Sequence, residues 1–78
     1  MERISVKRDV CHGQPCVAGT RIMVAQVLDL LEGGKTFQEI RTDYFPDIDN
    51  EDISACIHFA RDLVLGEDIH VIEEIPVG

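Results

Sequence analysis

The segment His12-Gly13-Gln14-Pro15-Cys16-Val17-Ala18-Gly19-Thr20-Arg21-Ile22 decides how the rest of the chain is read. Gly13-Gln14-Pro15 is a turn signal, because Gly tolerates positive φ and Pro fixes its own φ. Cys16-Val17 is a short apolar pair suited to a strand. Ala18-Gly19-Thr20 turns the chain again, and Ile22-Met23-Val24 leads into a helix. Upstream, Ile4 and Val6 alternate with polar residues in Arg3-Ile4-Ser5-Val6, the mark of a short strand. Downstream, the periodicity becomes helical. The segment therefore predicts a small β-hairpin or wing that launches a helical domain.

Three helices follow. Val24, Val27, Leu28 and Leu31 recur at i, i+3, i+4 and i+7, the spacing of an amphipathic helix. Gly33-Gly34 stops it, since Gly is the usual residue just past a helix C-terminus. Thr36-Phe37-Gln38-Glu39 is a capping box: Thr36 accepts from the backbone three residues on, and Glu39 reaches back. It opens a short helix whose inward residues are read as Phe37, Ile40 and Tyr44. Pro46 ends that helix, because the residue before a proline disfavours helical φ/ψ. Asp49 or Asn50 caps the third helix, and Glu51 and Asp52 suit its positive N-terminal end. Its apolar stripe is Ile53, Cys56, Ile57, Ala60, Leu63 and Val64, and Gly66 closes it. Residues 67–78 hold β-branched residues without helical period.

The expected fold is mainly α: a three-helix, homeodomain-like or winged-helix-like bundle with a small N-terminal β-hairpin and an extended C-terminal tail. The expected division is a helix-turn-helix-like domain over residues 1–66 and a strand-forming or extended tail over 67–78. A chain of 78 residues buries only a modest core, so a second copy or a partner would help its stability. No apolar run approaches membrane-span length and there is no signal-like N-terminus. The three cysteines, Cys11, Cys16 and Cys56, are an odd count that argues against a disulfide framework and for a reducing compartment. The expectation is a cytoplasmic protein.

The net charge of −8 is unevenly placed. Residues 1–46 carry six basic and six acidic residues, whereas residues 47–78 set Arg61 against nine acids. Nucleic acid is bound by cations that neutralise phosphates. Arg3, Lys7, Arg8 and Arg21 are the residues that could do so here. In a helix-turn-helix reader the third helix enters the major groove. Its outward side carries Glu51, Asp52, Ser54, His58, Arg61 and Asp62, a poor surface for phosphates. An acidic half of this kind suits a basic protein partner better.

Chemistry-bearing residues have structural readings that weigh more. Cys11, His12 and Cys16 form one loose cluster, to which Cys56, His58 or His70 could add; structural zinc sites usually need two paired ligand clusters. Cys56 falls on the apolar stripe, where free cysteine is commonly a small buried apolar residue. His12 stands in no hydrolase motif and is read as bonding the turn backbone. Thr20-Arg21 either binds an anion or holds the turn, since the planar guanidinium pairs well with carboxylate and phosphate alike. No cofactor, metal or reaction is therefore assigned. Leu30 and Phe59 lie off the main stripes, either as a wide core face or as a patch for a second subunit or partner. Ile69, Val71, Ile72 and Ile75 of the tail join them as partner-binding candidates.

The run HGQPCVAGTRIMVAQVLDLLEGG, then TFQEI, then DYFPDIDNEDISACIHFA, resembles the small bacterial domain of unknown function 433 family. The resemblance covers residues 12 to about 60, with Gly13, Pro15, Gly19, Thr20 and Arg21 as the matching turn residues. It implies a homeodomain- or winged-helix-like bundle with no attributed catalytic residues. It also implies an antitoxin-like role, since members are often encoded beside a small PIN-related, nuclease-like protein. Two functions follow as expectations: a non-enzymatic module that covers such a toxin, or a dimeric DNA-binding regulator.

Overall fold

The computed structural model describes residues 3–66. The tail, with Ile69, His70, Val71, Ile72 and Ile75, lies outside the described residues. The architecture is mainly helical with a small antiparallel hairpin. Strand β1 (Ile4–Ser5) pairs with β2 (Cys16–Val17) in the register Ile4 to Val17 and Ser5 to Cys16. The loop between them holds a 3₁₀ turn over Cys11–Gly13. Cys16 also bridges Met23, so the segment after Gly19 folds back along the other edge of β2. The strand expected within Arg3-Ile4-Ser5-Val6 and the Cys16-Val17 pair thus form the hairpin.

Helix α1 (Val24–Glu32) follows at once, with the Gln26 side-chain oxygen accepting from the Met23 N–H at 2.9 Å. Its end is a Schellman motif. The Lys35 N–H reaches the Leu30 carbonyl, the Gly34 N–H reaches that of Leu31, and Gly34 takes φ +93°. Helix α2 (Phe37–Glu39) opens on the capping box expected from the sequence. The Glu39 N–H donates to Thr36 Oγ1 at 3.0 Å and the Thr36 N–H to Glu39 Oε1 at 2.8 Å.

The chain then winds into a π turn over Ile40–Tyr44, closed by the Phe45 N–H on the Ile40 carbonyl at 2.7 Å. That wider turn corrects the expected inward face. Tyr44 is 43% exposed, while Phe45 packs against the core instead. A five-residue loop of backbone advances the register by one residue relative to an α turn.

Helix α3 (Asn50–Val64) starts from Asp49, whose carboxylate accepts the Asp52 N–H at 2.8 Å, while Asp52 accepts that of Asp49 at 3.1 Å. The core is built from Val17, Val24, Val27, Ile40, Ile48, Ile53 and Cys56. Ile40, Ile53 and Val27 are fully enclosed, and each such side chain contributes about 1.5–3 kcal/mol by leaving water.

The apolar stripe of α3 is buried only in its first half. Ile53 and Cys56 are enclosed, but Ile57, Leu63 and Val64 are exposed. Helix α3 has 15 residues and α1 only 9. By the rise per residue of a helix, α3 runs about 9 Å further than α1, and Val64 and Leu65 at its end are exposed.

Candidate functional site

Three surfaces carry the residues singled out by the sequence, and local folding places each of them. The first is the N-terminus of α3, where Arg3 sits just ahead of β1. Its guanidinium contacts Asp52 at 2.9 Å, Asp49 at 3.6 Å and Glu51. The hydrogen bond to Asp52 leads in holding the Arg3 guanidinium in its charged form, with Glu51 and Asp49 adding to it. The Asp49 carboxyl is pushed down, first by the backbone hydrogen bond from Asp52 and then by the charge of Arg3. Arg3 is thus engaged within the chain, tying β1 to α3.

The second surface is an open apolar groove of about 170 Å³ between α1 and the distal half of α3. Pro15, Met23, Leu28, Phe59, Ala60 and Leu63 are among its lining residues. Phe59 and Leu30 both pack partly on the core, which favours the wide-face reading for them, yet Phe59 also presents an edge to the groove. Sequence reasoning missed the groove as a whole. Its walls come from three separate segments that periodicity treats one at a time.

The third surface lies at the hairpin end. Ser5, Lys7, Val10, Gly19, Thr20 and Arg21 line an open cleft of about 340 Å³. Thr20 is structural as well: its hydroxyl donates to the Val17 carbonyl at 2.8 Å and accepts from the Ile22 N–H at 3.0 Å. The Cys11 thiol donates to the Arg21 carbonyl at 3.3 Å.

Partial desolvation first, and the neighbouring Cys16 next, raise the Cys11 thiol pKa. Burial pushes Cys56 up to about 11, with the charge of Asp52 adding to it. His12 sits at φ 56°, exposed, and its side chain makes no hydrogen bond among the described residues, so it does not hold the turn as expected. Cys16 is buried beside Ser5, and Cys56 lies in the core. Among the described residues no three His, Cys, Asp or Glu side chains converge on a point where an ion could sit.

A family model described as "Protein of unknown function (DUF433)" matches residues 4–60. The chain belongs to the DUF433 family. Among solved structures, it is similar to the crystal structure of a DUF433 member protein from Anabaena variabilis ATCC 29413. The two share 30% identity over 77% of this chain, with a TM-score of 0.71. This chain spans 58% of the length of that one. No curated protein matches. The DUF433 match spans the hairpin and most of α3, and so covers the cleft and the groove's lining except Leu63. Among the described residues, no helix is long and apolar enough to cross a membrane.

Proposed function

We propose that this DUF433 protein is a non-enzymatic, antitoxin-like binding module whose distal α3 surface and tail cover a basic, PIN-related nuclease-like protein. The observation that carries the reading is the exposed apolar end of α3. Leu63, Val64 and Leu65 are 50%, 82% and 64% exposed, beside the groove floored by Leu28 and Phe59. Apolar residues clustered at the surface in this way mark interaction sites. They stand within the acidic half of the chain. An acidic chain suits a basic cleft, steering encounter by charge while the apolar residues supply hold. Arg3 supports the same reading, because its engagement with α3 removes a cation from the set available to phosphates.

Co-expression with the product of the neighbouring reading frame tests this. The full chain is expected to co-purify with that protein and to suppress its nuclease activity, and a chain ending at Gly66 is expected to bind at least tenfold more weakly. Equal binding by both chains, or none by either, would remove the reading.

The second reading, a dimeric DNA-binding regulator, draws support from one observation. Lys7, Arg8 and Arg21 make no ion pair among the described residues. Salt-sensitive gel shifts against the protein's own promoter would separate it from the first.

A further inference from the structure

We propose that the cleft at the hairpin end is an anion site that takes a phosphate group between Lys7 and Arg21. This goes beyond the protein-partner reading and does not depend on it. The chain carries seven lysines and arginines against a net charge of −8. Carboxylates are abundant enough to engage them all, and some are engaged: Arg3 by the start of α3 and Arg61 by Asp62. Lys35 lies 5.8 Å from the centre of the Tyr44 ring. Lys7 and Arg21 are different. Both are exposed, both line one cleft, and among the described residues no carboxylate lines it with them.

The scaffold holds this arrangement. Strand β1 delivers Ser5 to the cleft and Lys7 just beyond it. On the other side the Thr20 hydroxyl ties Val17 to Ile22, and Cys11 bonds the Arg21 carbonyl. The backbone on either side of Arg21 is therefore fixed while its guanidinium makes no hydrogen bond or ion pair among the described residues. Two like charges facing one cleft repel, and an anion between them relieves that repulsion.

Phosphate suits the site better than carboxylate. Its tetrahedral oxygens can meet the planar fork of Arg21, the ammonium of Lys7 and the Ser5 hydroxyl from different directions, whereas a carboxylate offers two oxygens in one plane. At about 340 Å³ the cleft also has room for the group that carries the phosphate.

The test is an amide chemical-shift titration of the full chain with sodium phosphate, run against sodium chloride at matched ionic strength. Saturable shifts are expected at Ser5, Gly19, Thr20 and Arg21 in phosphate alone. Arg21→Gln and Lys7→Gln are each expected to weaken binding about tenfold, the order of one charge-assisted hydrogen bond. Both side chains are exposed, so unchanged shift dispersion elsewhere will verify that each variant is folded.

A parallel titration with a short mixed-sequence single-stranded oligonucleotide identifies the source of the phosphate. Tighter binding at the same amides assigns a nucleic-acid backbone. Binding of phosphate without the oligonucleotide assigns a free phosphate or monoester. Linear shifts equal to those in chloride overturn the proposal, as does saturable binding that both variants retain undiminished.

Discussion

Cys56 illustrates how one side chain's surroundings set its chemistry. It is fully enclosed on the inner face of α3, and burial raises its thiol to about 11. The thiolate is the reactive form, so at pH 8 Cys56 stays protonated as well as shielded. Cys16 is equally enclosed, while Cys11 is partly open. In the native protein an aromatic disulfide reagent at pH 8 is expected to label Cys11 alone. Cys11 should react more slowly than free cysteine, because its own thiol pKa is raised. All three thiols should react in denaturant. Rapid native labelling of Cys56 would mean that the α1–α3 core is not closed as described. The cysteine reading from sequence holds here: spacing placed Cys56 on an apolar stripe, and the stripe is where the core lies.

The turns give the sharpest predictions among the elements. Gly33 and Gly34 are adjacent, yet only one of them needs to be glycine. Gly34 takes φ +93°, which costs an L-residue about 1–2 kcal/mol, so Gly34→Ala should lower stability by that order in urea unfolding. A Cβ on Gly33 would meet the Asp29 and Leu30 carbonyls at 3.5 Å, ordinary contact. Gly33→Ala should be neutral or stabilising by up to about 1 kcal/mol, through reduced freedom of the unfolded chain. Equal losses at both positions would contradict the Schellman geometry.

The elements were also where the sequence spoke most clearly. The Gly-Gly stop, the Thr36–Glu39 box and the Asp49 cap are local chemistry, written within a few residues, and each stands where it was expected. What was not legible depends on distant partners. The π turn puts Phe45 inward in place of Tyr44, because the period assumed 3.6 residues per turn and the backbone departed from it. Ile57, Leu63 and Val64 follow the α3 period faithfully and are nevertheless exposed. Periodicity reports which face is apolar, not whether another element is long enough to reach it. The Arg3 cluster joins residues 46 to 49 positions apart, a pairing no local pattern encodes.

For the whole molecule, the governing feature is the separation of charge and apolar surface. One surface presents Lys7 and Arg21 in a cleft; another presents exposed Leu63, Val64 and Leu65 within the acidic half. The central claim is that the α3 end is a protein-binding surface. The affinity of the full chain for the proposed partner, the product of the neighbouring reading frame, measured by calorimetry with and without Leu63→Asp, tests it most directly. Leu63 is half exposed, so the substitution leaves the enclosed core untouched while placing a charge in the groove. The account predicts at least a tenfold loss of affinity with the fold retained. Affinity unchanged by Leu63→Asp, in a variant that is folded, would contradict it.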